Sequence, residues 1–421
     1  MSSLQDRDRA HVWHPYTQHA IEPDPMCVVS AKDASLFLDD GTEIIDGISS
    51  WWACLHGHGQ PDLVRTFAEQ ARQLDHVLFA GATHEPGVAL AEALVHATPD
   101  GLSRVFYSDN GSTAVEIALK MAFQYWLHRG EPERRVFVAF DGGFHGETFG
   151  SMSVGDPDPF FEPFAPLLFE TKRVAVDAGA VDAALAELGG RAAGVLIEPL
   201  LQGAAGMVLH TPDVLADIRA ACDRHGVLMV ADEVLTGFGR TGSLFACQQA
   251  GIAPDLMCLA KGLTGGIFPL SATLATEAIY EAFLSPDRAH AFFHGHTFTG
   301  NPIGCAVALE SLRLVRENDV PGRFRAIGER IESGLAALAQ DTRAQNIRRI
   351  GGIVALDLVQ PDGVTGYLAA RAPKLRAAAI ERGVLLRPLG DVLYAMPPAC
   401  TTDAQCDRIA EVMVELVQLE E

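Results

Sequence analysis

From about residue 100 to residue 275, short apolar runs alternate with segments of helical pattern, and few folds accommodate such an alternation. The runs are Arg104–Tyr107, Val136–Phe140, Val195–Ile197, Val227–Ala231, Leu256–Leu259 and Ser271–Ala275. They are nearly continuous in apolar residues, as parallel strands buried on both faces are. Helix ends are legible between them. Thr211-Pro212 supplies a cap followed by proline at the first helical position, and that helix stops before Gly226. Thr113-x-x-Glu116 has the pattern of a capping box and predicts the start of the buried helix that continues ALKMAFQYW. Together these predict a doubly wound α/β domain with a mostly parallel sheet.

At 421 residues the chain exceeds what one hydrophobic core usually supports, which predicts a second unit. Residues 30–47 read as a small antiparallel hairpin around Asp40-Gly41. After Asn301-Pro302 a long helix is expected to about Val315, followed by helices mixed with strands at Gly352–Leu358 and Val392–Met396. Both chain ends are therefore expected to form a smaller α+β domain: residues 1–54 and 311–421 around a large domain of residues 55–310. A net charge of −22 without a basic run argues against nucleic acid or an anionic membrane surface as partner. No apolar run is long enough to span a bilayer, and the polar N-terminus lacks a signal-peptide core, so a cytoplasmic location is expected. The eight cysteines are scattered without a C-x-x-C pair and read as reduced thiols. The two His-Gly-His triplets, at His56–His58 and His294–His296, lack ligand spacing with a carboxylate, and no metal site is predicted.

The chemistry concentrates in VLMVADEVLTGFGRTG and PDLMCLAKGLTGGIFPLSA. Asp232 falls at the end of one predicted strand and Lys261 just past the end of another. Open α/β sheets bind ligands at that edge, so both side chains can converge on one crevice. Alone, Lys261 would read as a surface lysine. Flanked by Leu259, Ala260, Gly262 and Leu263 it loses water, which lowers its pKa and exposes a nucleophilic amine. Asp232 is suited to keeping the pyridine nitrogen of pyridoxal 5′-phosphate (PLP) protonated while Lys261 holds the cofactor as a Schiff base. Gly111 and Ser112, between a strand and a helix start, offer N–H groups and a hydroxyl to the phosphate. Phe144, in the glycine-rich loop FDGGFHGETFG, offers a ring to stack on the pyridine.

The segments NGSTAVEIALK, FHGETFG, IEPLLQG, ADEVLTGFGRTG and LAKGLTGG resemble the class III aminotransferases of the fold-type I PLP enzymes, over nearly the whole chain. The resemblance implies Lys261, Asp232, Gly111, Ser112 and Phe144 in the roles just given. It also implies a homodimer in which the loop HGHTFTGNP lends His296 and Thr297 to the phosphate of the neighbouring subunit's cofactor, with Gly295 near the substrate. WHPYTQ and DGISSWWACLHGHG further resemble the 7,8-diaminopelargonic acid synthases of biotin biosynthesis, which aminate 8-amino-7-oxononanoate. That likeness implies substrate contacts by Tyr16, Trp51 and Trp52, and Arg387 of LLRPLGD on the substrate carboxylate. An aliphatic substrate wants apolar walls, and its carboxylate wants a forked guanidinium. Two departures stand out. Phe144 replaces a tyrosine common in the family, and HGHTFTGNP is nearer to the HGHSYTGN of a lysine-using branch than to S-adenosylmethionine users. The family likeness implies S-adenosylmethionine as the donor, with lysine as the alternative. The rival readings are an ω-amino acid transaminase, an aminomutase of the glutamate-1-semialdehyde type, and a non-catalytic PLP-binding protein.

Overall fold

The computed structural model describes residues 3–156, 160–359 and 371–419. Its centre is a seven-stranded sheet of β1 (Leu102–Ser108), β2 (Val136–Phe140), β3 (Thr171–Val174), β4 (Ala192–Ile197), β5 (Leu228–Asp232), β6 (Leu256–Leu259) and β7 (Ser271–Thr276). The order is β1-β7-β6-β5-β4-β2-β3. Neighbours from β6 to β3 run parallel, while β7 is antiparallel to both β6 and β1. The apolar runs lie in these strands because both sheet faces are covered, so successive side chains enter opposite cores. Leu196 and Val230 meet Ala114, Ala118 and Ala122 on one side. Val195 and Met229 meet Leu185, Leu215 and Ile218 on the other. Each fully buried leucine or valine contributes roughly 1.5–3 kcal/mol relative to exposure.

Three helices set the site's frame: α1 (Gly111–His128), α2 (Pro212–His225) and α3 (Pro302–Glu317). The expected signals hold for α2, which is capped by the Thr211 side chain and closed by Gly226 in the left-handed region. For α1 the expected start at Thr113 is wrong. Asn110 is the cap: its side chain accepts from Thr113 N–H at 3.0 Å, and its own N–H donates to Thr113 Oγ1 at 3.3 Å. Asn110 is extended, as a cap must be, and takes the reciprocal bond one turn earlier. Glu116 is thereby released to accept from Thr148 Oγ1 (2.7 Å) and Ser151 N–H (3.2 Å).

A four-stranded sheet is formed by Val28–Lys32, Ser35–Leu38, Glu43–Asp46 and, from the far end of the chain, Val384–Leu385. The last pairs parallel with Glu43–Asp46, Leu385 lying opposite Asp46. Ala344–Ile350, Ile353–Leu358 and Val392–Ala395 form a third sheet. Among the described residues no helix is long and apolar enough to cross a membrane.

Candidate active site

The C-terminal ends of β1, β2, β4, β5 and β6 lie along one edge of the large sheet, and a cavity of about 750 Å³ opens there. Lys261, Asp232, Gly111, Ser112 and Phe144 all line it, and Tyr16, Trp51 and Trp52 face it from the N-terminal segment.

Lys261 follows β6 and takes φ +40°, unusual for a residue with a side chain. Burial pushes its amine below the ordinary lysine range, and the charges of Asp232, Glu198 and Glu147 oppose that shift. Asp232 closes β5. Its Oδ1 accepts from Val234 N–H at 3.1 Å and its Oδ2 lies 2.7 Å from His145 Nδ1, both side chains being buried. A carboxylate only accepts, so this contact places a proton on Nδ1 of the imidazole.

At the start of α1 the Asn110 side chain takes the Thr113 N–H, and Ala114 N–H bonds to the Asn110 carbonyl. The N–H groups of Gly111 and Ser112 then have no acceptor among the described residues, which suits an anion. Ser112 Oγ accepts from Thr148 N–H at 2.9 Å. The loop after β2 closes on this corner because Gly146 has no side chain: a Cβ there would sit 2.3 Å from Ser112 Cβ. Phe144 lines the cavity with its ring stacked on Phe161 (centroids 5.9 Å apart) and edge-on to Phe160 (6.0 Å). Its N–H donates to Glu198 Oε1 at 3.1 Å.

The opposite wall departs most from ordinary backbone geometry. Ser49, Ser50, Trp51 and Trp52 have φ of 50°, 46°, 69° and 75°, one turn of left-handed helix without a glycine. Such backbone costs about 1–2 kcal/mol per residue. It sends the two indoles apart. Trp51 is 39% exposed and meets Tyr16 edge-on at 5.6 Å, with the Arg387 guanidinium 4.3 Å from its ring centre. Trp52 is only 6% exposed: its Nε1–H donates to Tyr394 Oη at 2.9 Å, and its ring lies 4.9 Å from Lys261 Nζ. Trp52 is thus as much a core residue as a cavity wall. The Tyr16 hydroxyl donates to Glu147 Oε1.

Gly295, His296 and Thr297 are not in this cavity; the loop that holds them is largely exposed. His296 N–H donates to Thr299 Oγ1 at 3.0 Å, and His296 Nδ1 accepts from Phe298 N–H at 3.2 Å. Its Nε2 is buried and has no hydrogen-bond partner among the described residues.

A family model described as aminotransferase class-III matches residues 16–417. The chain belongs to the class III aminotransferases. Like other members it works with PLP, and a similar structure was solved in its PLP-bound form: an amine transaminase from an uncultivated Pseudomonas species, TM-score 0.90, 30% identical, covering 97% of this chain and 98% of that one. Among its relatives is the adenosylmethionine-8-amino-7-oxononanoate aminotransferase of Synechococcus elongatus, 49% identical over 97% of this chain and 98% of that protein. The protein of the same name from Geobacter sulfurreducens is 40% identical over 97% and 96%. The crystal structure of the Methanocaldococcus jannaschii protein of that name superposes with a TM-score of 0.95, at 31% identity and 99% and 98% coverage. The doubly wound large sheet and the strands from both chain ends are those of this class.

Sequence reasoning missed His145, Glu198 and Phe160 in the cavity of this aminotransferase. Glu198 could have been found, because it directly follows buried strand β4 just as Asp232 closes β5. Burial raises its carboxyl to about 7, with Asp232 adding to the shift and His145 opposing it.

Asp46 and His58 titrate as a pair below the tryptophan turn. Burial works to raise the Asp46 carboxyl, but hydrogen bonds from His58 and Ser50 outweigh it and the net shift is downward. His58 is raised to about 10, first by its bond to Asp46 and then by Cys54. A histidine raised on folding stabilises fully below its unfolded value of about 6.5, and that contribution fades as pH rises through about 10. The melting-temperature gap between the natural chain and His58→Gln is therefore expected to narrow between pH 7 and 10.5. A gap that stays constant over that interval would contradict a charged pair.

Proposed function

We propose that this chain aminates 8-amino-7-oxononanoate to 7,8-diaminononanoate, the amino-transfer step of biotin biosynthesis, with S-adenosylmethionine as donor. The observation that carries this reading is one cavity lined by the buried Lys261 and Asp232 and by Tyr16 and Trp51, with the Arg387 guanidinium against the Trp51 ring. An aliphatic chain ending in a carboxylate fits an indole wall finished by a guanidinium. The names of the relatives in Synechococcus elongatus and Geobacter sulfurreducens support both acceptor and donor.

The residues fit PLP. Gly111 and Ser112 at the start of α1 would take its phosphate, Asp232 its pyridine nitrogen, Phe144 one ring face, and Lys261 its aldehyde carbon. When bound, the cofactor supplies an electron sink for the pair left behind as a proton departs the carbon bearing the amino group. Lys261 Nζ, whose pKa burial lowers, takes that proton and later delivers one to C7 of the acceptor. His145 holds the Asp232 carboxylate in place by the 2.7 Å contact. Tyr16 and Trp51 keep water from the acceptor chain, and Arg387 fixes its carboxylate. The working unit in this reading is a homodimer, in which a second copy brings its Gly295, His296 and Thr297 to the phosphate side. The buried, unpartnered Nε2 of His296 and the exposure of the loop around it support that role.

The test is incubation of purified, PLP-loaded chain with 8-amino-7-oxononanoate and either S-adenosylmethionine or lysine, with the diamine as readout. Product with lysine alone would replace the donor, and product with neither would return the reading to the broader class. Arg387→Ala should raise KM for the acceptor about 10- to 100-fold, the loss of charge-assisted hydrogen bonds worth roughly 1.5–3 kcal/mol. The donor half-reaction should hardly change; equal damage to both halves would remove Arg387 from the carboxylate.

A further inference from the structure

The turn that carries Trp51 and Trp52 rests on a pair, the buried Asp46 and the partly buried His58, that no step of the proposed reaction uses. Asp46 has no exposed surface, yet four donors reach it. Its Oδ1 accepts from Ser50 N–H at 2.9 Å and Ile48 N–H at 3.3 Å. Its Oδ2 accepts from Ser50 Oγ at 2.7 Å and lies 2.8 Å from His58 Nε2. The other nitrogen of His58 lies 3.6 Å from Cys54 Sγ, so both ends of the ring are held. On its far side the turn is fastened by Ser49 Oγ donating to the Met396 carbonyl (2.7 Å), by Trp52 on Tyr394, and by Arg240 Nη2 on the Trp52 carbonyl (3.4 Å).

Four consecutive left-handed residues with side chains persist only where their surroundings over-determine them. A buried ion pair is weak evidence for stability, because apolar residues of similar volume do as well; its attested use is to fix a geometry. Here that geometry is the direction of two indoles. Trp51 points to Tyr16 and Arg387, and Trp52 to Lys261. Of the residues suited to hold the cofactor, Gly111, Ser112 and Asp232 lie on other elements, and Lys261 meets the turn through the ring of Trp52, a residue that Tyr394 and Arg240 hold independently of the pair.

We infer that Asp46 and His58 are positioning residues for the acceptor: they hold the left-handed Ser49–Trp52 turn and through it set the pose of Trp51 beside Arg387, without touching substrate or cofactor. This rests on the reading of the tryptophan wall given above. Loss of the pair should therefore separate acceptor binding from cofactor binding.

The test is a double-mutant cycle on the full-length, PLP-loaded enzyme, with Asp46→Asn and His58→Gln made in the natural chain and in Trp51→Ala. In the natural chain each substitution should raise KM for 8-amino-7-oxononanoate about tenfold with a smaller change in kcat, and in Trp51→Ala less than about twofold. The visible absorption of the bound cofactor should be unchanged throughout. Equal effects in both backgrounds overturn the inference, because a generally loosened fold acts whether or not Trp51 is present. Should Asp46→Asn fail to fold, Ser50→Ala removes one donor to the carboxylate and carries the same cycle. If the natural chain does not turn over this acceptor, the proposed function fails, and the pair is read from the indoles instead. In Trp13→Phe/Trp126→Phe, which leaves Trp51 and Trp52 of the four tryptophans, Asp46→Asn should raise quenching by acrylamide about twofold. Unchanged quenching overturns the positioning role whatever the substrate.

Discussion

Replacing Lys261 by alanine should abolish turnover, with a loss of at least about 10⁴-fold, because a general base alone is worth about 10²–10⁴ and the same amine also tethers the cofactor. Both half-reactions should fail together, since the proton taken from the donor and the proton given to the acceptor pass through one nitrogen. Lys261→Arg should be no better: guanidinium stays charged at any usable pH, whereas burial holds the lysine amine below its ordinary range. Small primary amines at high concentration should restore a fraction of activity to Lys261→Ala but none to Lys261→Arg, where the space is filled. The measurement is single-turnover absorbance with each substrate in turn. Residual activity above about one per cent of the natural enzyme would remove Nζ from the proton path.

Asp232→Asn is the second large effect, expected at about 10²–10³-fold in both half-reactions, the size of breaking a buried charge pair. The amide can still accept from Val234 N–H, as Oδ1 does at 3.1 Å, so the loop after β5 should keep its shape. It cannot act as the anion that keeps the ring nitrogen protonated, and it is a poorer acceptor for His145. Folded stability should therefore change far less than rate. This separates it from Arg387→Ala, which should spare the donor half; an Asp232→Asn enzyme slowed only toward the acceptor would misplace the carboxylate.

Much of the fold and the site is legible in the sequence because it depends on local composition. The strands Val136–Phe140 and Leu256–Leu259 coincide with their apolar runs, and Asp232 and Lys261 lie at strand ends where sheet topology gathers ligands. What escapes depends on partners distant in the chain. His145 meets Asp232 across 87 residues, and no periodicity reports such a contact. The cap of α1 is ambiguous in sequence because Thr113 and Glu116 match the capping pattern as well as Asn110 and Thr113 do, and only the backbone decides. Ser-Ser-Trp-Trp contains no glycine, so nothing in it announces a left-handed turn; that conformation is imposed by Asp46 and Tyr394.

The pairing of Val384–Leu385 with Glu43–Asp46 also orders events during synthesis. Until residue 385 has left the ribosome, Glu43–Asp46 is an open edge strand, and at typical elongation rates it waits roughly 20–70 s. Met396 and Tyr394, which fasten the tryptophan turn, arrive later still. The large sheet and its lysine can therefore be complete while the aromatic wall is still unformed. Closure over so many residues is slow, and an exposed edge invites pairing with other chains. Truncation shortly before residue 384 should leave a chain more prone to aggregate than the full-length one, as light scattering during refolding would show.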